Sequence, residues 1–256
     1  MPTNPKTITI GTLTLGPQAG QKVIAPIVAR TYDDVLTQAH QIVASAADML
    51  EWRLDYLTDL TNTEQLIATA KTLRTITGQV PIIATNRTST EGGQRDYQGP
   101  DYQESYTALI THKLVDAIDI EFSQDDATYD ALHQLASDHH VTTILSHHDF
   151  AKTPEKDNLI FLFAQMAKKA PSIVKVAVTP HAREDVMALM DATLAADHQI
   201  EPPIIAMSMG RLGRISRLAG DTFGSIATFG TVGAASAPGQ ASVAEIKATL
   251  TTLAQQ

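Results

Sequence analysis

Short apolar, β-branched runs alternate with longer stretches of helical spacing along almost the whole chain. The runs are KVIAPIV (22–28), DMLEWRL (48–54), PIIAT (81–85), AIDIEF (117–122), VTTILS (141–146), SIVKVAV (172–178), PIIAMS (203–208) and SIATF (225–229). They predict eight strands. Between them, stretches such as 32–46, 63–76 and 182–197 carry Ala, Leu, Gln, Glu and Lys at helical spacing. Pro81, Pro171 and the Pro202–Pro203 pair stand where a helix must end and a strand begin. Strands alternating with helices predict βαβ units and a parallel sheet. Eight units in one stretch predict a closed (β/α)8 TIM barrel, an α/β fold, with residues 1–256 as one barrel domain. A doubly wound open sheet is the competing layout, but APIVARTYDD after the first run holds no G-x-G-x-x-G turn. Ahead of the first run, residues 7–15 alternate apolar and polar side chains around Gly11, which predicts a β-hairpin placed as a lid on the barrel bottom.

Strand parity then separates the side chains. In DMLEWRLD, bulky Leu50, Trp52 and Leu54 belong against the helices, which turns Glu51 and Arg53 into the barrel. The same alternation sends Asp119 and Glu121 inward from AIDIEF, Lys175 from SIVKVAV, and Ser146 and His148 from TTILSHHD. Thr85 and Arg87 share a face just past the third strand. Buried charge is costly unless it is paired, hydrated or used, so ionisable groups from four strands near their C-terminal ends point to a site as well as to an ion-pair network.

Composition narrows the chemistry. The chain has 256 residues, no cysteine, 43% hydrophobic residues and a formal net charge of −9. That excludes disulfide scaffolds and cysteine nucleophiles, and it argues against nucleic acid as a partner. No apolar run approaches the ~20 residues of a membrane helix, and the N-terminus lacks the pattern of a signal peptide, so no membrane role and a cytoplasmic location are expected. Among the lysines, Lys175 alone stands in the middle of an apolar strand. Desolvation and neighbouring cations such as Arg53 or Arg217 would disfavour its ammonium, and a neutral lysine can attack a carbonyl to form a Schiff base. The other reading is a buried lysine satisfied by Glu51, Asp119 or Glu121. His148 is a general acid/base candidate; His147 beside it should face the helices or the rim. GRLGRISRLAG (210–220) offers Arg217 for capture of a carboxylate or phosphate, whereas Arg211 and Arg214 read as solvated. No metal site is expected.

Several motifs together resemble the type I 3-dehydroquinate dehydratases, the Schiff-base enzymes of the shikimate pathway. They are EWRLDYL from Glu51, R-x-x-x-E-G-G from Arg87 to Gly93, SHHDFAKTP from Ser146, KVAVTP from Lys175, ISRLAGDTFGSIATFG from Ile215 and SAPGQ from Ser236. The resemblance implies Lys175 as the imine-forming lysine, His148 as the general acid/base and Glu91 as the acid that orients it. It implies Glu51, Arg53, Arg87, Arg217, Ser236 and Gln240 as holders of the substrate carboxylate and hydroxyls. It further implies 3-dehydroquinate as substrate, no cofactor, a homodimer and a role in aromatic amino acid biosynthesis. Two positions depart from the family pattern: His147 stands where Tyr is common, and the first strand lacks a substrate-contacting Ser. A class I aldolase barrel acting on a phosphorylated sugar is the alternative, with the basic and Gly-rich loops as its phosphate cradle.

Overall fold

The computed structural model describes residues 6–96, 100–233 and 241–254. Strands β1 (Ile8–Ile10) and β2 (Leu13–Leu15) form an antiparallel hairpin. Eight further strands build a parallel sheet: β3 (Lys22–Ile27), β4 (Met49–Arg53), β5 (Ile82–Thr85), β6 (Ala117–Glu121), β7 (Thr142–Asp149), β8 (Ile173–Val178), β9 (Ile204–Ser208) and β10 (Ala227–Phe229). Their spatial order is β10-β3-β4-β5-β6-β7-β8-β9. The ring is drawn together between β9 and β10 by a bridge from Ile204 to Ser225, where the Ile226 N–H donates to the Ile204 carbonyl at 2.9 Å. The helices alternate with the strands: α1 (Tyr32–Val43), α2 (Thr63–Thr77), α3 (Pro100–Thr111), α4 (Asp126–Asp138), α5 (Lys156–Ala167), α6 (Arg183–Asp197), the short α7 (Arg214–Leu218) and α8 (Gly220–Phe223), and α9 (Val243–Ala254). This is the (β/α)8 barrel that the alternation predicts.

Helix starts follow local chemistry. Thr31, Asn62 and Asp125 each accept the backbone N–H three residues on, at 3.2, 3.0 and 2.9 Å. Each such cap contributes about 1 kcal/mol.

Two apolar layers divide the core as parity requires. Leu50, Trp52, Ile118, Ile120, Leu145, Val174 and Val176 pack outward with helix residues such as Leu66, Leu109 and Leu189. Ile24, Met49, Ile83, Ala117, Ile144, Ile173 and Ile205 fill the inside of the barrel at the start of the strands, and Ile10 and Leu15 of the hairpin join them. The hairpin therefore plugs the bottom. One inward position further along β4, β5, β6, β7 and β8 the inner face turns polar, at Glu51, Thr85, Asp119, Ser146 and Lys175, above this apolar floor.

Candidate active site

The C-terminal end of the barrel opens into a cavity lined by Glu51, Arg53, Arg87, Glu91, His148, Lys175 and Arg217, with apolar walls from Phe150, Met207, Met209 and Phe229. Strand alternation puts these groups there: Glu51 and Arg53 come from β4, His148 from β7 and Lys175 from β8. The ladder pairs Ser146 with Lys175 and Glu121 with Ser146, so the polar layer is continuous across three strands.

Lys175 lies on the floor of the cavity. Its Nζ donates to Asp119 Oδ2 at 2.8 Å, stands 3.8 Å from Glu51 Oε1, and sits over the Phe229 ring at 4.5 Å from the centroid. Sequence reasoning expected cations such as Arg53 or Arg217 beside it. The nearest charged partners are carboxylates instead, because β6 and β4 present their inward acids at the level of the lysine. Asp119 Oδ1 in turn accepts from Arg87 Nη2 and Ser146 Oγ, both at 2.6 Å. Burial alone would push Asp119 up, but Arg87, Lys175 and the hydrogen bonds from Lys175 and Ser146 hold it well below the usual carboxylate range.

Arg87 faces the cavity but spends its donors on the protein: Asp119, Glu121 Oε1 at 3.0 Å and Ser146 at 2.9 Å, with Glu91 at 3.6 Å. Glu121 is used up as well, accepting from the N–H and hydroxyl of Thr88 at 2.8 and 2.7 Å. Arg53 is forked onto Asp55 by two contacts of 2.8 Å. Asp55, two residues on from Arg53, also accepts the Arg87 backbone N–H at 3.4 Å. Glu51 accepts the Thr85 hydroxyl at 2.9 Å.

His148 and Glu91 form a pair. Nδ1 lies 2.9 Å from Glu91 Oε2, and the same oxygen accepts the His148 backbone N–H at 3.1 Å. Oε1 accepts from Ser123 Oγ at 3.0 Å. Three donors on one carboxylate favour the tautomer in which Nδ1 carries the hydrogen, leaving the Nε2 lone pair free. Burial, then the cations Arg87, Lys175 and Arg53, hold His148 well below its ordinary value, so the ring is neutral at pH 7. Burial pushes Glu91 up to about 7, against the pull of Arg87. The glycines after Glu91 have a steric reason. A Cβ at Gly92, where φ is +81°, would lie 2.3 Å from the Phe150 ring, and one at Gly93 would lie 1.9 Å from the Arg87 carbonyl oxygen. The chain must turn this tightly to bring Glu91 under His148.

His147 is at the rim with a side chain 29% exposed, but its Nδ1 also comes within 3.8 Å of Glu91 Oε1. Its pKa is lowered, by burial first.

Arg217 is 1% exposed. Its Nη1 meets only Met207 Sδ at 3.3 Å, while Nε and Nη2 have no hydrogen-bond partner among the described residues. Burial brings the guanidinium down from its ordinary range to about 10. A buried cation without an anion beside a cavity is a receptor for one. Arg211 and Arg214 are exposed, so this loop presents one guanidinium to the cavity and not a multi-donor phosphate cradle. Ser236 and Gln240 lie outside the described residues. Among the described residues, no group of three or more His, Asp or Glu side chains is disposed to hold a metal ion.

A family model for type I 3-dehydroquinase matches residues 23–256, the whole barrel with its polar layer. The chain belongs to this family. A 3-dehydroquinate dehydratase of Escherichia coli O1:K1 is 40% identical over 252 residues, which cover 98% of this chain and 99% of that one. The enzyme of that name from Lactiplantibacillus plantarum is 37% identical over 226 residues, 88% of this chain and 90% of the other. A crystal structure of 3-dehydroquinate dehydratase from Geobacillus kaustophilus superposes with a TM-score of 0.94 at 33% identity, covering 99% of this chain and 98% of that one. The family is one of hydro-lyases.

Proposed function

We infer that this chain dehydrates 3-dehydroquinate to 3-dehydroshikimate through an imine on Lys175. The observation that carries the reading is that Lys175, the neutral His148 and the unpaired Arg217 line one cavity. Arg217 takes the substrate carboxylate, since a guanidinium pairs with it bidentately. Lys175 passes a proton to His148 and attacks the C3 ketone, and His148 returns that proton as the former carbonyl oxygen leaves as water, giving a protonated imine. That cation is an electron sink, so His148 Nε2 can remove a proton from C2, leaving an enamine. The enamine expels the C1 hydroxyl, to which His148 returns the proton as water forms. Hydrolysis of the conjugated imine frees the product and the lysine. The lysine supplies the sink, so the chemistry needs neither metal nor organic cofactor.

Glu91 keeps His148 in the working tautomer. Glu51, Arg53 and Arg87 border the substrate hydroxyls, although Arg53 and Arg87 are chiefly committed to Asp55 and to the acids of β6. For Ser236 and Gln240, outside the described residues, the family resemblance alone supports a role in holding the substrate. On this reading the enzyme is a lyase of aromatic amino acid biosynthesis. Residues 1–256 form one barrel domain, which works in the cytoplasm as a homodimer. In support, no helix of the described residues is long and apolar enough to cross a membrane. The test is steady-state turnover: the purified chain should convert 3-dehydroquinate with the rise in ultraviolet absorbance of a conjugated enone. Absence of turnover by a folded preparation would overturn the reading.

A further inference from the structure

The imine reading leaves one buried acid without a task. Asp119 on β6 is 1% exposed, and its two oxygens have different duties. Oδ1 belongs to the scaffold, gripped by Arg87 and Ser146 at 2.6 Å each. The Tyr106 hydroxyl donates to its main-chain carbonyl and so fixes the backbone. Oδ2 faces the lysine alone, 2.8 Å from Nζ. Glu51, the next anion, is a full ångström further away at 3.8 Å and already satisfied by Thr85. The nitrogen that becomes the imine is therefore held against one rigid carboxylate.

We propose that Asp119 is the counter-ion of the protonated imine, keeping the nitrogen charged while the C2 proton departs. The proposal rests on the imine reading above. Ammonium and ketone condense to C=N–H⁺ and one water, with charge conserved and one N–H left on the side of Oδ2. When His148 takes the C2 proton, the C–H pair forms C2=C3 and the C=N pair moves onto nitrogen, which keeps its proton as a neutral enamine. Loss of the C1 hydroxyl, protonated by His148, restores the cation. An unprotonated imine is a poor sink, and an opposite charge at this distance favours the charged form by about 1–3 pH units. Asp119 does not take the lysine's proton, since Arg87 and Lys175 hold it ionised far below neutral pH.

Other charged groups line the cavity with the nitrogen: Glu51 and Arg53 from β4, Arg87 and Glu91 beyond β5, His148 from β7 and Arg217 from α7, with the Phe229 ring from β10, while Glu121 of β6 pairs with Arg87 at 3.0 Å. A substitution confined to Asp119 keeps all of them, so a comparison of pH profiles isolates its charge. The experiment is kcat at saturating 3-dehydroquinate from pH 5.5 to 9.5 for the parent, Asp119→Asn and Asp119→Glu. In Asp119→Asn the alkaline limb should move to lower pH by about 1–3 units, so that the ratio of variant to parent kcat falls tenfold or more between pH 6 and pH 9. Borohydride at pH 6 should still trap one substrate mass on Lys175 of that variant. Asp119→Glu, which keeps a charge but displaces it, should lower kcat with its limb within about half a unit of the parent's. A ratio for Asp119→Asn that is constant across pH, or a limb in Asp119→Glu that moves as far as in the Asn variant, overturns the counter-ion role. An inactive parent with no adduct at any pH overturns the imine reading itself, and the two failures are separately visible.

Discussion

Replacing Arg217 with methionine should make the empty enzyme more stable and a much worse catalyst. The side chain is 1% exposed and its charge has no anionic partner among the described residues. Burial lowers it from the ordinary arginine range to about 10, and that gap corresponds to about 3 kcal/mol against the charged form. The folded value lies below the unfolded one, so this penalty is fully present below about pH 10 and fades as the pH rises toward the unfolded value. Methionine retains most of the stem that packs against Met207 and removes the cation. For a chain of this size 1 kcal/mol moves Tm by about 2–4 °C, so relief of part of the penalty raises Tm by several degrees. Substrate reverses the account, because its carboxylate supplies the missing partner. Losing a charge-assisted contact in a desolvated site removes about 2–4 kcal/mol of transition-state binding, a fall of about 30- to 1000-fold in kcat/KM. Arg217→Lys should suffer similarly in kcat/KM, since a point charge cannot replace the fork. Calorimetric melts of the empty enzyme and steady-state kinetics decide it. A kcat/KM within threefold of the parent, or a sharp loss of stability in Arg217→Met, would refute the reasoning and move the carboxylate anchor to Arg53 or Arg87.

Three other variants test the histidine end of the site. His148→Ala should lose about 10²- to 10⁴-fold in kcat while a stalled adduct on Lys175 still accumulates, as read by mass spectrometry after borohydride. His147→Tyr, which installs the residue common in the family, should keep kcat within a few-fold, with circular dichroism verifying the fold; a dead Tyr variant beside a live His148→Ala would reverse the assignment of β7. In the parent, kcat/KM should fall as the pH drops through about 7, because Glu91 then takes up a proton and ceases to hold the Nδ1–H of His148. Glu91→Gln has no group titrating there, so its acid limb should lie at lower pH on a reduced plateau, and a limb left near pH 7 would contradict the assignment.

The barrel and the direction of its inward side chains were legible because alternation along a strand is a local rule. Leu50 and Trp52 against Glu51 and Arg53, or Val174 and Val176 against Lys175, can be sorted without knowing any neighbour. Partners were not legible in this way. That Asp119 and not Glu121 meets Lys175, and that Arg87 is spent on Asp119, Glu121 and Ser146, depends on the stagger between strands, which parity does not encode. The fork from Arg53 to Asp55 arises where the chain leaves β4 for a single 3₁₀ turn at Leu54–Tyr56, a local bend invisible to periodicity. His147 stands at the rim, where its ring comes within 3.8 Å of Glu91, a contact that parity does not encode. Glu91 itself was marked only by the family motif. Its position depends on the tight backbone at Gly92 and Gly93, which the EGG triplet signals only once the Phe150 ring and the Arg87 carbonyl are seen beside it.

The central claim is the covalent one, and it has a direct measurement. The enzyme is mixed with 3-dehydroquinate, treated with borohydride, digested and analysed by mass spectrometry. The account predicts one added ligand mass on the peptide that contains Lys175, and none in Lys175→Ala, which should remain folded. An active parent that carries no adduct, or carries it on another lysine, would contradict it.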